Sequence, residues 1–216
     1  MPPKPTLDGE PRYEDMPISF EPAKGRFDDY DVRQAAYWSL LSGAMGHTYG
    51  NNNIWQFYAK ESRHEPLLSA ATPWKTALEQ PGAGQMLHVR CLFDSRPFTS
   101  LEPDGKLIRG KSGKGGALVK ASSGEDYAFI YIPTGRKISV RLDSLTGEKA
   151  NAWWFDPRNG AAHFIGAFSS SGTKTFTPPG SPRRGNDWVL VIDDVDSNYS
   201  KPGCPSGTAP GGFERS

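Results

Sequence analysis

The pattern of apolar residues changes near residue 97, and this change most constrains what the chain can fold into. Before it, strand and helix signals alternate, as in proteins built from β/α units. After it come short alternating runs separated by turn signals, which are typical of antiparallel sheets. We therefore predict an α/β portion over residues 1–97 and an all-β domain over 98–196. Residues 197–216 are rich in Gly, Pro and Ser and predict a loose tail.

A strand–helix–strand unit opens the first portion. Apolar runs predict strands at Pro5–Leu7 and Ala44–His47, and Asp31–Ser42 between them predicts a helix that stops at Gly43. The apolar residues of this helix recur at helical spacing: Val32, Ala36 and Leu40. Two more helices are predicted further along, on either side of the breaker Pro81-Gly82: Trp74–Glu79 and Ala83–Phe93.

The all-β domain contains seven predicted strands: Gly116–Ala121, Asp126–Ile132, Lys137–Leu142, Ala150–Phe155, Ala162–Phe168, Thr173–Thr177 and Trp188–Ile192. In the predicted strand Asp126–Ile132, apolar side chains point to both faces of the sheet. Either both faces are covered by other parts of the protein, or one face binds a ligand. At Trp153-Trp154, alternation places one ring in the core and the other on the opposite face.

Polar side chains gather where the two strands of the first portion end. In a parallel β/α barrel the carboxyl ends of successive strands converge on one pocket. Glu10 follows the first strand, and we predict it to be the catalytic carboxylate. Sugar sites combine an aromatic platform with amide and hydroxyl partners. The predicted substrate-binding residues are Tyr13, His47, Tyr49, Asn51 and Trp55.

Structural interpretations of these residues remain open. Glu10 could instead pair with Arg12 or Arg33, and Glu14 is a competing carboxylate, for which a supporting role is favoured. Tyr13 could simply pack, and a lone His47 is as often satisfied structurally as functional. The pair Gly50-Asn51 could be a turn.

Charge and spacing predict no further site. The formal net charge of +1 suggests neither nucleic acid nor an anionic surface as a partner. Basic clusters at Lys106–Lys114 and Arg183-Arg184 lie among Gly, Ser and Pro, and we interpret them as solvated loops. The run Gly110–Gly116 lacks the spacing of a phosphate loop, and no His or Cys pair has zinc spacing, so no metal or cofactor is predicted.

The same reading predicts no membrane span and no signal peptide within the chain, because it contains neither a run of roughly 20 apolar residues nor a charged and then apolar leader. Cys91 and Cys204 fall in different predicted units, so we expect neither a disulfide nor a metal site from them. Cys91 is assigned to a helix core. The sequence predicts no oligomeric state.

Several motifs carry a family resemblance. Residues 4–98 contain Asp-Gly-Glu-Pro-Arg-Tyr-Glu, Arg-Gln-Ala-Ala-Tyr-Trp-Ser-Leu-Leu-Ser-Gly-Ala, Gly-His-Thr-Tyr-Gly-Asn and Ser-Arg-Pro-Phe. They resemble the final part of the apiosidase-like glycoside hydrolases, a barrel family that acts on plant pectin side chains. The second part contains Asp-Tyr-Ala-Phe-Ile-Tyr-Ile-Pro-Thr-Gly and Asn-Ala-Trp-Trp-Phe-Asp-Pro-Arg-Asn-Gly, and resembles the module labelled "putative collagen-binding domain of a collagenase".

This resemblance implies the last strands and helices of an incomplete (β/α)8 TIM barrel followed by a small antiparallel β-sandwich. It implies a retaining hydrolase of cell-wall polysaccharide or oligosaccharide, in which Glu10 is the nucleophile and a second carboxyl group is the acid/base. About two of the eight β/α units fit before residue 97, so that acid/base is expected outside this chain, which is interpreted as a carboxyl-terminal portion. A secreted or periplasmic location is implied for the complete protein.

Two other functions stay open for the second part. It could be a non-catalytic module that binds carbohydrate or collagen, in which case an exposed aromatic strip is expected. It could instead only support the barrel.

Overall fold

The computed structural model describes residues 4–63, 65–143 and 145–205. The chain divides into two compact units, Met1–Leu40 with Ala44–Met86 and Leu41–Gly43 with Leu87–Ser216. The protein is mixed α/β with few helices. Its strands and helices follow in this order: β1 Leu7–Asp8, α1 Asp29–Leu40, β2 Gly46–His47, α2 Trp74–Ala77, α3 Pro81–Asp94, β3 Glu102–Pro103, β4 Ile108–Arg109, β5 Lys120–Ser123, β6 Tyr127–Ile132, β7 Ile138–Arg141, β8 Lys149–Phe155, β9 Ala162–Ser169, β10 Thr173–Phe176 and β11 Trp188–Asp194.

In the first unit, β1 and β2 pair in parallel with α1 between them in the chain. The helix begins two residues before its predicted start because the carboxylate of Asp28 accepts a hydrogen bond from the Tyr30 amide at 3.1 Å, as a capping side chain does. Its predicted stripe is buried, with Val32, Ala36 and Leu40 at 1%, 0% and 9% exposure.

The two helices predicted on either side of Pro81-Gly82 are separate, but the break between them lies at residues 78–80 and α3 begins at Pro81. A proline is well suited to the first helical position, where its missing N–H would have no helical partner. A β-carbon on Gly82 would lie 2.8 Å from Cγ2 of Val32, so glycine lets the first turn of α3 approach α1 closely.

In the second unit, two antiparallel sheets share one hydrophobic core. The strand orders are β10-β7-β4 and β3-β5-β6-β11-β8-β9. Every predicted strand overlaps an observed one, although a 3-10 turn at Gly115–Ala117 replaces the first half of Gly116–Ala121. The strands β3 and β4 were not predicted, since two residues are too short to show a period. Contrary to the loop interpretation of Lys106–Lys114, β4 lies within that segment.

Both faces of the central strand β6 are covered. One face of β6 contributes to the hydrophobic core that the two sheets share. Trp154 on β8 belongs to the same core, whereas its neighbour in the chain, Trp153, is half-buried and lies outside it. On the other face, the ring of Phe129 packs 5.4 Å from that of Phe93, and the ring of Tyr127 lies 6.1 Å from that of Tyr199.

Contrary to our expectation, Cys91 and Cys204 form a disulfide. The error came from assigning all of α3 to the first portion, whereas its residues from Leu87 onward belong to the second unit. The start of the predicted loose tail is also held by contacts. The Tyr199 hydroxyl donates to Oδ1 of Asp126 at 2.7 Å. Residues 206–216 of that tail lie outside the described residues.

A buried ion pair holds the same region. The guanidinium of Arg96 donates from Nε and Nη2 to the two carboxylate oxygens of Asp193, at 2.8 and 2.7 Å. The Arg96 and Asp193 side chains are 0% and 4% exposed. Nη2 also donates to the Ser200 carbonyl at 3.1 Å, and the guanidinium lies 4.5 Å from the centre of the Tyr199 ring. The pair therefore ties the end of α3 to β11 and to the segment after it.

Opening the disulfide should destabilise the second unit. The bond joins residues 113 positions apart, and closing so long a loop restricts the unfolded chain. We expect Cys91→Ser/Cys204→Ser to lower the free energy of unfolding by about 2–4 kcal/mol. Urea unfolding with and without reductant measures this, and the double variant, which reductant should not affect, is the control. A wild-type transition that reductant leaves in place would contradict the prediction.

No helix in the described part of the chain is both long enough and apolar enough to cross a membrane.

Candidate active site

The carboxyl ends of β1 and β2 bring two polar segments together. Leu7 pairs with Gly46 and Asp8 with His47. Beyond the strands, the Thr48 amide donates to the Asp8 carbonyl at 3.0 Å, and the Thr48 hydroxyl donates to the Gly9 carbonyl at 2.8 Å. Glu10 therefore follows a strand end that the neighbouring segment holds in place.

Glu10 is exposed and lines a cavity of about 380 Å³. The other lining residues are Pro11, Tyr13, Met16, Phe20, Trp55 and Leu68. Phe20 is 65% exposed and Trp55 46% exposed, so two large aromatic rings face solvent beside one carboxylate. The cavity is thus an open, largely apolar cleft in which one acid lies beside two aromatic rings.

The hydroxyl of Tyr13 donates to Oε1 of Glu10 at 3.4 Å. Removal from water raises the pKa of Tyr13, and the negative charge of Glu10 raises it further. The Tyr13 hydroxyl therefore keeps its proton and remains a donor to Glu10 at neutral pH. Its ring packs so closely on Gly50 that a β-carbon there would lie 2.5 Å from Cε1 of Tyr13, which only glycine permits.

Two strained turns supply the apolar wall of the cavity. Phe20 has φ 64° and Leu68 has φ 48°, a left-handed conformation that bulky side chains rarely adopt. Each turn displays one of these apolar side chains, and Leu68 is 38% exposed. Strain of this kind costs on the order of 1–3 kcal/mol per residue and persists only where the surroundings impose it.

A polar framework holds the turn at Leu68. Arg26 donates from Nη1 to the Asp15 carbonyl at 2.6 Å and from Nη2 to the Ser69 carbonyl at 2.5 Å. The side-chain amide of Asn52 donates to the Leu68 carbonyl at 3.0 Å. The backbone at Leu68 is thus held by distant side chains, whereas the turn at Phe20 is held by backbone bonds, such as that from the Phe20 amide to the Pro17 carbonyl at 3.0 Å.

His47 does not line the cavity. Its side chain is 5% exposed and its Nδ1 lies 3.2 Å from Oδ2 of Asp8, which also accepts a hydrogen bond from Ser39. Burial lowers the pKa of His47, although the Asp8 carboxylate opposes that shift. Among the described residues, Nε2 has no hydrogen-bond partner. A neutral His47 that donates from Nδ1 to Asp8 orients the end of β1, two residues before Glu10.

The lowered pKa of His47 predicts a pH effect on stability. Below about pH 6.5 the unfolded chain takes up a proton that the folded protein resists, so stability should fall as the pH drops through that value. In His47→Gln that contribution disappears, and the loss of stability on acidification should be smaller. Urea unfolding at about pH 7.5 and 5.5 measures the difference. The exposed His163→Gln is the control, and equal slopes for wild type and His47→Gln would refute the prediction.

Tyr49 and Asn51 also turn away from the cavity, into a buried network around Glu14. The Tyr49 hydroxyl donates to Oε2 of Glu14 at 2.5 Å, and the Asn51 amide donates to the Tyr49 hydroxyl at 3.3 Å. Oε1 of Glu14 accepts from the Gly82 amide at 3.2 Å, at the start of α3. Burial raises the pKa values of Glu14 and Tyr49. A buried carboxylate at a helix N-terminus supports the fold, the role favoured for Glu14 from the sequence.

The two arginines considered as structural partners of Glu10 bind other side chains. Arg12 donates to Gln34 at 2.9 Å, and Arg33, which is 1% exposed, donates to Asp29 at 2.7 Å.

Of the residues predicted from the sequence, the structure brings Glu10, Tyr13 and Trp55 to one cavity. His47, Tyr49 and Asn51 do not line it and instead belong to the networks around Asp8 and Glu14. Sequence reasoning missed the apolar wall, namely Met16, Phe20 and Leu68. Phe20 and Leu68 lie in short segments without a period, and a left-handed backbone at a bulky residue leaves no signal in the sequence. Over residues 4–63, 65–143 and 145–205, no cluster of His, Cys, Asp and Glu could hold a metal ion.

Comparison with protein families gives two adjoining matches. Residues 1–100 match the family described as "Apiosidase-like, catalytic domain". Residues 103–193 match the family described as "Putative collagen-binding domain of a collagenase". A search of curated proteins found no match.

Two solved structures resemble the chain over most of its length. One, described as a glycoside hydrolase, is 37% identical with a TM-score of 0.88, and the match covers 92% of this chain and 44% of that protein. The other, a glycoside hydrolase family 5 protein from Bacteroides vulgatus ATCC 8482, is 34% identical with a TM-score of 0.89, and the match covers 95% of this chain and 45% of that protein. The chain spans less than half the length of these relatives. Residues 1–100 are thus similar to the apiosidase-like glycoside hydrolases, and residues 103–193 to the putative collagen-binding domain of a collagenase.

Proposed function

We propose that this chain, as a relative of the apiosidase-like glycoside hydrolases, supplies the last strands of a (β/α)8 barrel and the β-sandwich that follows it. With the remainder of the barrel, it hydrolyses O-glycosidic bonds in plant cell-wall polysaccharide of the pectin type. The observation that carries this proposal is the exposed carboxylate of Glu10, which follows a parallel strand and lines the same cavity as the rings of Trp55 and Phe20.

The mechanism proposed is a retaining double displacement. The Glu10 carboxylate attacks the anomeric carbon while a carboxylic acid about 5–5.5 Å away protonates the leaving oxygen. Water, activated by that second group, then breaks the ester bond to Glu10 and releases the sugar. The second carboxyl group belongs to an earlier strand of the barrel, outside this chain.

Tyr13 prepares Glu10 for attack. Its hydroxyl holds Oε1 of the carboxylate, so the other oxygen, Oε2, is free to reach the anomeric carbon. Because its pKa is raised, Tyr13 remains a neutral donor and does not repel the carboxylate. When the ester forms, the charge on Glu10 is lost and the hydrogen bond weakens, which favours the return of the carboxylate in the second step.

The protein to test is the full product of the reading frame that encodes this chain, including any sequence before Met1. An activated 2-fluoro glycoside of the released sugar should leave a stable sugar ester on the peptide that contains Glu10, because fluorine slows its hydrolysis. Mass spectrometry identifies the labelled residue, and proton NMR of the first product gives its anomeric configuration. A label on another carboxylate, or inversion of configuration, would overturn the proposal.

The apolar wall should bind the sugar next to the bond that is cleaved. Phe20→Ala removes a ring that is 65% exposed and that bound substrate would cover. We expect KM to rise roughly tenfold, equivalent to about 1.4 kcal/mol, with a smaller change in kcat. Phe57→Ala is the matched control, since Phe57 is also exposed with a positive φ of 49° but does not line the cavity. Similar KM values for the two variants would argue against the wall as a subsite.

The complete protein is proposed to work outside the cytoplasm. The disulfide between Cys91 and Cys204 supports this, because such bonds persist mainly in oxidising compartments.

A second candidate function is a non-catalytic binding role for the second unit. Phe164 is 55% exposed, and its ring centre lies 4.7 Å from that of Trp153 on the adjacent strand. The exposed Phe164 ring beside the half-buried Trp153 is the kind of aromatic surface expected of a carbohydrate-binding module. Retention of the chain by insoluble neutral polysaccharide, lost in Phe164→Ala, would support this role, and equal retention of both proteins would contradict it.

A further inference from the structure

A cavity of about 380 Å³ lies against the three-stranded sheet of the second unit. Four of its lining residues are cationic and none is acidic: Arg109, Lys111, Arg136 and Lys137. We call these four residues and the space they enclose the cationic cleft. They come from two distant parts of the sequence, and the chain as a whole has a formal net charge of only +1. The cleft is therefore a local concentration of charge that folding creates.

The register of the strands places hydroxyl groups in the same cleft. Arg109 on β4 lies opposite Ser139 on β7, and Ser139 lies opposite Thr175 on β10. Alternation turns Ile138 and Val140 into the core, so Ser139 faces outward between its two neighbours. The hydroxyls of Ser139 and Thr175 are 2.8 Å apart. The cleft thus combines positive charge with hydroxyl groups, which suits a ligand that is both anionic and rich in hydroxyls.

Two glycine turns lie beside Arg136. Gly113 has φ 95°, and a β-carbon there would clash with the Ala117 carbonyl oxygen. A β-carbon on Gly135 would lie 2.5 Å from the Asn186 carbonyl oxygen. Between these turns, Nη2 of Arg136 donates to the Lys111 carbonyl at 2.9 Å. Among the described residues, the buried Nε of Arg136 has no partner. The Arg136 guanidinium is thus fixed at one end by the Lys111 carbonyl.

We propose that the cationic cleft binds a carboxylated polysaccharide through the carboxylates of its uronic acid units. Guanidinium groups match carboxylates geometrically, and several cations along a cleft suit a chain with repeated negative charges. None of the lining residues is aromatic, so the stacking platform that single-stranded nucleic acids need is missing from the lining. The proposal rests on the binding role of the second unit and does not require hydrolysis by the first.

The test uses the full chain with polygalacturonate and with its fully methyl-esterified form, which keeps the sugar backbone but lacks the charge. Titration calorimetry at low salt should show binding of the acid form, weakened by added salt, and much weaker binding of the ester. Arg109→Ser/Lys137→Ser, which changes two exposed side chains, should weaken binding at least about tenfold. The matched control Lys149→Ser/Arg183→Ser removes two exposed positive charges that lie outside the cleft, and should bind nearly as wild type does.

Other results would overturn the proposal. These are no binding of polygalacturonate, equal loss in both double variants, or equal affinity for single-stranded DNA. If Phe164→Ala abolishes binding of neutral polysaccharide while the cleft variants have no effect on the acid form, the binding role survives and the cleft assignment fails. Arg136→Gln is a second variant, which keeps a donor toward the Lys111 carbonyl and should also weaken binding of the acid form.

Discussion

Glu10→Gln in the complete enzyme should lower kcat by about 10²–10⁴-fold or more, because the amide cannot attack the anomeric carbon. The change is nearly isosteric, and Glu10 is exposed, so the fold should be unaffected. Initial rates on a polysaccharide and on an activated aryl glycoside measure the loss. Glu65→Gln, another exposed acid of the first unit, is the control and should retain activity.

Rescue of Glu10→Ala by azide distinguishes a nucleophile from a carboxylate that only orients substrate. With the side chain removed, azide can enter the vacated space and attack the same carbon, so activity on the activated glycoside should return with a glycosyl azide as product. Wild-type kcat in Glu10→Gln would refute the assignment. Loss of activity without rescue, together with a 2-fluoro label on Glu14, would move the nucleophile to Glu14.

Arg96→Met should lower the free energy of unfolding of the second unit by about 3–5 kcal/mol, because it leaves the Asp193 carboxylate buried and uncompensated. Burial already raises the pKa of Asp193, although Arg96 opposes that shift, so removing Arg96 should raise the pKa further. A folded-state pKa above the unfolded value means that the folded protein binds the proton more readily. The destabilisation should therefore be largest at neutral pH and shrink as the pH falls.

Urea unfolding at several pH values measures this effect, and Arg96→Met/Asp193→Leu is the informative control. Removing both charges should recover much of the stability, since neither group is then left unpaired. A double variant as unstable as the single one would show that the contacts of Arg96 with Ser200 and Tyr199 matter more than the ion pair.

The strand–helix–strand unit of the first portion was predictable, because its signals are local. Helical spacing of Val32, Ala36 and Leu40 identifies α1 whatever surrounds it. The observed bounds differ from the predicted ones where a single side chain determines where an element begins or ends, as Asp28 does at the start of α1. The start of α3 was predicted too late for a similar reason. Proline interrupts the interior of a helix but also favours the first helical position, and the sequence alone does not show which of the two applies to Pro81.

The candidate site was predictable only in part. Polar residues at a strand end indicate a site in a parallel β/α fold, and that rule led to Glu10, Tyr13 and Trp55. The same rule could not separate them from His47, Tyr49 and Asn51, because a short segment after a strand can turn its side chains outward or inward. The contacts with Asp8 and Glu14 decided that these three point inward.

The sequence by itself determined the class of each unit, the order of the main strands and the carboxylate that follows β1, because periodicity and strand ends are properties of neighbouring residues. Only the tertiary structure decided which groups meet across the chain: Cys91 with Cys204, Arg96 with Asp193, and the cations of the cleft. The left-handed turn at Leu68 belongs to the same class, since the distant side chains of Arg26 and Asn52 hold its backbone. Long-range packing, which no local pattern records, assembles the wall of the site.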